Sequence, residues 1–155
     1  MPEARTKRRA AKDKAAGKAP STQAGEFVRE EIDHVREGKH GARSTKQAIA
    51  IGLSKARRAG VALPAPKSGS TSKRTRKSAA RDSARGRKEP TRKPSPRRSR
   101  ATREALEREP RAAATSTALS RQAHASARRR GPAARKAAAR KAAQTRARRS
   151  GAAKH

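Results

Sequence analysis

The chain has 155 residues, of which 44 are Lys or Arg and 12 are Asp or Glu, so its formal net charge is +32. Leu, Ile, Val and Phe together number only 11, or about 7% of the chain. A highly charged chain is expected to be disordered when this fraction is below roughly 20%. Cys is absent, which excludes disulfides and thiolate metal sites, and no apolar run approaches the roughly 18 residues of a membrane span.

Composition divides the chain into four regions. Residues 1–23 are expected to form a basic, disordered arm. Residues 24–66 hold nine of the larger apolar side chains, so we expect them to fold as a helical hairpin domain. Residues 67–101 have the Ser, Thr, Gly, Pro and Arg content of a disordered basic linker. Residues 102–155 form an Ala/Arg/Lys-rich tail with transient helices, and the expected fold class is mostly disordered with a small all-α hairpin.

The first helix of the hairpin is predicted over residues 23–37. Val28, Ile32 and Val35 recur at i, i+4 and i+7 with Phe27 beside them, which is one face of a helix. Gly38 then supplies a C-terminal stop.

The second helix is predicted from Ser44, whose spacing to Gln47 is that of a capping box. It is expected to end near Ala59, with Gly60 as a left-handed cap. Small residues on its stripe predict a close approach to the first helix, namely Ala48, Gly52 and Ala56. Because two helices alone make a small core, a homodimer through the hairpin or a nucleic-acid surface is expected to complete it.

The linker contains two short basic motifs. Ser95-Pro96-Arg97-Arg98 resembles the Ser-Pro-basic-basic turns of linker histone tails, which lie along the minor groove. Arg85-Gly86-Arg87 resembles the core of an AT-hook, but Lys88 stands where that motif has Pro. We interpret both as chance occurrences in an Arg-rich segment.

Two tail segments have helical sequence features. Residues 102–109 predict a two-turn helix that ends before Pro110, although a single Leu gives it little to pack. Pro132 stands at a plausible first helical position and is followed by strong helix formers up to Arg149. Like charges such as Lys136 and Arg140 repel at i, i+4, so we expect this segment to be coil alone and helical on phosphate.

Catalytic and metal-binding signals are weak. Glu30 and His34 stand at i, i+4 on the first helix, but no second pair at ligand spacing supports a metal site. We interpret the carboxylates of this helix as a solvated acidic face, which could pair with Lys46, Lys55, Arg57 or Arg58 or hold the basic tail in check. The chain is not expected to be an enzyme or to carry a cofactor or a metal.

The dispersed Lys and Arg residues are the strongest functional signal, because they can neutralise phosphates and release counterions without fixed geometry. The absence of Trp and Tyr makes base stacking on single strands improbable. The predicted nucleic-acid-binding residues of the hairpin and linker are Arg43, Lys46, Lys55, Arg57, Arg58, Arg97 and Arg98. Those of the tail are Arg128, Arg129, Arg130, Arg135, Lys136, Arg140, Lys141, Arg146, Arg148 and Arg149.

The passage from Arg36 to Gly60, REGKHGARSTKQAIAIGLSKARRAG, resembles an uncharacterised domain of small basic bacterial proteins that are described as DNA-binding or histone-like. The resemblance covers about residues 26–66 and implies a bacterial origin and association with a chromosome or plasmid. The tail is similar in composition to bacterial linker-histone-like nucleoproteins, although those are Lys-rich and this one is Arg-rich.

These observations predict a histone-like, cytoplasmic and nucleoid-associated protein that coats and bridges duplex DNA with little sequence specificity. One alternative is an RNA-binding or ribosome-associated protein, since basic extensions bind RNA by the same electrostatics. A second alternative is a partner-binding or dimerisation module in plasmid maintenance, with the tail as a DNA tether. No membrane partner is expected.

Overall fold

The computed structural model describes residues 2–89, 93 and 95–152, with side chains described as far as residue 148. About three quarters of the described residues are helical. The helices are α1 (Ala4–Ala15), α2 (Pro20–Arg36), α3 (Thr45–Arg58), α4 (Lys73–Lys88), α5 (Pro96–Glu107) and α6 (Ser116–Ala152), with a 3₁₀ turn at Ala112–Ala114 before α6. The expectation of a mostly disordered chain with a small hairpin is therefore wrong.

The hairpin itself forms as predicted. Val35 and Phe27 of α2 are buried, and Gly38 ends the helix in the left-handed region with φ of 77°. The Ser44 side chain accepts a hydrogen bond from the Gln47 backbone N–H at 3.2 Å, which confirms the predicted cap of α3. Gly60, with φ of 89°, ends α3 in the same left-handed way.

Gly52 brings α2 and α3 into backbone contact, as predicted. A Cβ atom at this position would lie 2.6 Å from Cα of Val28, a distance that real side chains do not reach. Ala48 and Ala56 on the same face of α3 are fully buried. The close approach of the two helices therefore depends on small residues.

Both regions that flank the hairpin were expected to be disordered, yet they form helices that pack against it. Helix α1 packs on α2, and helix α4 packs on α3. The buried positions of α1 are Thr6, Ala10 and Asp13, and those of α4 are Ala79, Asp82 and Gly86. Each set recurs at about i, i+4 and i+7, which is one helical face made of small or acidic residues. Counting large apolar side chains missed both helices because they bury none.

The core is correspondingly thin. One apolar cluster of the core consists of Ala10 from α1, Ala24 and Phe27 from α2, Ala56 from α3, and Val61 just after α3. Glu31 is among the largest fully buried side chains, together with Phe27 and Val35. Buried charged side chains therefore occupy core positions in this unit that large apolar side chains occupy in most globular proteins.

A segment far along the chain closes the loop between α2 and α3. The backbone N–H of Gly41 donates to the carbonyl of Leu106 at 2.8 Å, and that of Ala42 donates to Pro110 at 2.9 Å. The Thr45 hydroxyl donates to the carbonyl of Ala113 at 2.6 Å. The tail region predicted over residues 102–155 is thus divided, and its first part belongs to the hairpin's own unit.

The chain forms two compact units, residues 1–115 and 116–155. Helix α5 lies in the first unit, but it has no buried residue and packs on no other described helix. Helix α6 belongs to the second unit and is interrupted at Gly131, whose φ of 75° and ψ of 167° are not helical. Pro132 then begins the next helical stretch, as predicted, but the expectation that this segment is coil without phosphate is wrong.

Within the described part of the chain, no helix combines the length and the apolar composition that a bilayer-spanning segment requires.

Candidate functional site

The two short basic motifs of the linker have structural roles. Ser95 caps α5, because its side chain accepts a hydrogen bond from the Arg98 backbone N–H at 3.4 Å, and Pro96 occupies the first helical turn. Gly86 lies inside α4 at a position where a Cβ atom would overlap the backbone carbonyl of Arg57. Both motifs are therefore parts of helices in this structure.

The cations predicted on the hairpin differ in their surroundings. Arg43 and Lys46, at the start of α3, are exposed. Lys55 forms ion pairs with Glu30 and Glu31 of α2. Arg58 pairs with Asp82 of α4 through a contact of 2.8 Å. Arg57 is buried and donates to the carbonyl of Pro64 at 3.0 Å.

Burial lowers the pKa of the Arg57 guanidinium, and the charge of Asp82 opposes this effect. Its Nε–H has no hydrogen-bond partner. Arg57 is therefore a buried structural cation in this unit, and of the five predicted hairpin contacts only Arg43 and Lys46 face solvent without a carboxylate partner among the described residues.

The cations predicted on the linker and tail lie on helical surfaces. Arg97 and Arg98 are exposed in the first turn of α5. In α6, Arg128, Arg129 and Arg130 precede the break at Gly131, whereas Arg135, Lys136, Arg140, Lys141, Arg146 and Arg148 follow it, and all nine are exposed. The side chain of Arg149 lies outside the described residues.

Two properties distinguish α6 from the other helices. Residues 116–155 contain 12 Lys and Arg and no Asp or Glu, so no cation of this unit has a carboxylate partner in its own unit. Successive residues of an α-helix are rotated by about 100°. The described cations after Gly131 are separated by one, four, one, five and two positions, and they consequently project over about two thirds of the helix circumference.

The carboxylates of the first unit are used internally. Among the described residues, at least eight lie within ion-pairing distance of a basic side chain of the same unit: Glu3, Asp13, Glu26, Glu30, Glu31, Glu37, Asp82 and Glu107. Glu30 and Glu31 of α2 are buried, so the interpretation of this helix as a solvated acidic face is wrong for these two residues. The idea that α2 pairs with α3 is confirmed for Lys55, which reaches both carboxylates.

Glu31 lies at the centre of a cluster of titratable side chains. Its side chain is 0% exposed, with Lys55 Nζ at 2.6 Å from one oxygen and His40 Nε2 at 3.3 Å from the other. Both contacts are within ion-pair distance, but neither has hydrogen-bond geometry, so both oxygens lack a hydrogen-bond donor. His34, one turn along α2, completes a group whose potential ligand atoms all lie within 4.8 Å of one another.

The i, i+4 spacing in the sequence paired His34 with Glu30 and pointed to neither Glu31 nor His40 as a metal ligand. The Glu31-x-x-His34 spacing places both side chains on one face of α2 and was visible in the sequence. His40 joins them only because the loop between α2 and α3 folds back, which no local pattern indicates.

The chain matches no curated protein and no solved structure. Residues 11–67 match the model of a family of unknown function (DUF6496), which confirms the resemblance to an uncharacterised domain. The match extends from the second half of α1 through α2 and α3. It includes Glu31, His34 and His40, but it excludes α4, α5 and α6.

Proposed function

We propose that the protein binds duplex DNA through its phosphates, with little sequence preference, and that α6 supplies the main contact surface. The observation that carries this proposal is that α6 has exposed cations around most of its circumference and no Asp or Glu in its unit to pair with them. Each such cation that meets a phosphate releases a condensed counterion, which is the dominant source of non-specific affinity.

The distribution of charge around α6 favours a duplex with a wide groove. A helix with its side chains is about 10–12 Å across, and the major groove of B-form DNA is about 12 Å wide. Cations on opposite sides of such a helix meet both phosphate rows of the groove, or two separate duplexes. The major groove of A-form RNA is deep and too narrow for this arrangement.

The same charge pattern gives little capacity for base reading. Beyond Gly131 the helix presents mainly Ala between its cations, and phosphate contacts carry no sequence information. We therefore propose a histone-like role in coating and bridging duplex DNA, in a cell whose chromosome or plasmid is accessible to the protein.

Charge neutralisation of α6 tests this proposal. Arg135, Lys136, Arg140 and Lys141 are changed to Gln, which retains good helix propensity. If all four contact phosphate, the slope of log affinity against log salt becomes shallower by about 3–4, at roughly 0.9 per phosphate on B-form DNA. Fluorescence anisotropy with a labelled duplex at several KCl concentrations measures this slope.

A second variant, which loses the same number of charges elsewhere, tests whether the position of the cations matters or only the net charge. Lys73, Arg74, Lys77 and Arg81 of α4 are exposed, and their replacement by Gln removes the same four charges. We expect a smaller change in slope for the α4 variant than for the α6 variant. Equal slopes for the two variants, or tighter binding of structured RNA than of duplex DNA at the same salt, would contradict the proposal.

A further inference from the structure

We propose that Glu31, His34 and His40 form a binding site for Zn²⁺ in the first unit. Two imidazoles and one carboxylate are a common protein ligand set for this ion, with the remaining position held by water. The proposal does not depend on DNA binding, because no residue of α6 takes part in it.

The buried carboxylate is the first reason. A fully buried carboxylate needs a compensating charge and hydrogen bonds, since its desolvation is costly. Lys55 occupies one oxygen of Glu31 at 2.6 Å, whereas the other oxygen faces His40 without a hydrogen bond. A divalent cation at this oxygen would satisfy it and leave the pair with Lys55 intact.

The second reason is the separation of the ligand atoms. Metal–ligand bonds of about 2.0–2.1 Å in a tetrahedral site place neighbouring ligand atoms about 3.3–3.4 Å apart. Glu31 Oε1 and His40 Nε2 already lie 3.3 Å apart. The potential ligand atoms of the three residues are within 4.8 Å of one another, so no pair of them has to approach by more than about 1.5 Å to reach tetrahedral spacing.

The partners of the two histidines are the third reason. His40 Nδ1 lies 2.9 Å from the carbonyl oxygen of Gly41, to which it donates when protonated, and this leaves Nε2 as the ligand atom. His34 Nε2 lies 3.0 Å from an oxygen of Glu3, which leaves Nδ1 for the metal. Histidine ligands commonly donate their other N–H to a carboxylate or a carbonyl in this manner.

The surroundings tolerate the added charge. Glu3 adds a carboxylate beside the cluster, with its Oε1 at 3.0 Å from His34 Nε2 and at 3.4 Å from Lys39 Nζ. Lys55 pairs with Glu31 and also with Glu30, and Lys39 pairs with Glu3, so each lysine near the cluster has a carboxylate partner. The side chains of His34 and His40 are 13% and 14% exposed, which leaves an edge through which an ion can enter.

A metal here would serve stability. It would join α2 to the loop before α3, and through Glu3 and Lys55 to the start of α1 and to α3. Small domains with thin cores often use a bound metal in this way. Zn²⁺ should therefore raise the midpoint of thermal unfolding, because it binds the folded state in preference to the unfolded state.

The test uses the full chain, purified in high salt with nuclease so that no nucleic acid remains to bind metal, and then stripped with a chelator. Isothermal titration calorimetry with Zn²⁺ should show one site per chain, and Mg²⁺ should show none because it prefers oxygen ligands. His40→Gln should weaken binding by more than the roughly 10–100-fold typical of losing an outer partner, and Glu3→Gln by about that range. His124→Gln, on exposed α6, is the matched control and should leave the affinity unchanged.

Two further measurements keep the test independent of folding. Circular dichroism checks that each variant retains its helices, and His40→Gln serves if the buried Glu31→Gln does not fold. Nitrogen NMR shifts on Zn²⁺ addition should identify Nε2 of His40 and Nδ1 of His34 as ligands. Absence of stoichiometric Zn²⁺ uptake, or equal uptake by folded His40→Gln and wild type, would overturn the proposal and leave a simple buried ion pair.

Discussion

The two units of this chain are both built mainly from Ala, Arg and Lys, yet their cations meet different surroundings. All 12 Asp and Glu residues precede Ser116, and at least eight of those that the structure describes pair with basic side chains of the first unit, several at positions where helices meet. The second unit has 12 Lys and Arg and no carboxylate. In a chain with so few large apolar residues, the unit that contains acidic residues forms a packed core, and the unit without them presents a cationic surface.

The largest expected effect comes from breaking the buried ion pairs of the first unit. Lys55 compensates Glu30 and Glu31, whose side chains are 2% and 0% exposed. Lys55→Met leaves two buried carboxylates without this cation and should lower the free energy of unfolding by about 3–5 kcal/mol. Urea denaturation followed by circular dichroism measures the change.

Lys136→Met is the matched change in the second unit. Lys136 is exposed, so this substitution should alter the free energy of unfolding by less than about 0.5 kcal/mol. Equal effects of the two substitutions would mean that the acidic residues do not distinguish the units.

The next largest effect concerns the close approach of helices. Gly52→Ala places a Cβ atom 2.6 Å from Cα of Val28, and Gly86→Ala places one against the Arg57 carbonyl. Each should cost about 1–3 kcal/mol because backbone atoms have to separate. Thermal unfolding measures both.

Gly25→Ala is the control for this pair of substitutions. Gly25 also lies within a helix, but a Cβ atom there meets nothing within 4 Å. It should stabilise the protein by about 0.5–1 kcal/mol through helix propensity alone. If Gly86→Ala were stabilising as well, α4 would not pack on α3 in solution.

Removing helix caps should have smaller effects on stability, and these effects should differ between α3 and α5 of the first unit. Ser44→Ala removes the cap of α3 and should cost about 1 kcal/mol of global stability. Ser95→Ala removes the cap of α5, a helix that packs on no other described helix. It should increase amide hydrogen exchange in α5 and leave the global unfolding midpoint unchanged. A lowered midpoint would show that α5 contributes to the core.

A small effect of either sign is expected at the buried cation Arg57. Burial lowers its pKa, which means that the fold disfavours the charged form, yet a guanidinium stays protonated at neutral pH. Arg57→Met removes this desolvation cost and loses a hydrogen bond to an exposed carbonyl. Stability should change by less than about 1 kcal/mol, in either direction, and by the same amount from pH 5 to 9. A loss of several kcal/mol would show that the buried charge is needed.

Local patterns were sufficient for part of the fold. The apolar spacing in α2, the Ser44 cap and the glycines after α2 and α3 are short-range signals, and the structure confirms each. The helix after Pro132 was located correctly, but the expectation that it forms only on phosphate was wrong. Helices α1 and α4 were missed because they pack through Ala, Gly, Thr and Asp, which a count of large apolar residues does not register.

The candidate sites were predictable to different degrees. The exposed cations of α6 follow from composition, because a segment without carboxylates has nothing in its unit to neutralise it. The roles of Lys55, Arg57 and Arg58 do not follow from the sequence, since a basic residue on α3 can face solvent or another helix. The cluster of Glu31, His34 and His40 depends on a loop held by residues 106–113, about 70 positions away.

The sequence by itself determined the surplus of positive charge, the thinness of any core and the two helices of the hairpin. These are properties of composition and of neighbouring residues, which act over a few positions along the chain. Only the tertiary structure decided that the flanking basic segments join the core, which carboxylates are buried and which cations remain free. Those outcomes depend on how closely the helices approach one another, and the small residues at their contacts determine that distance.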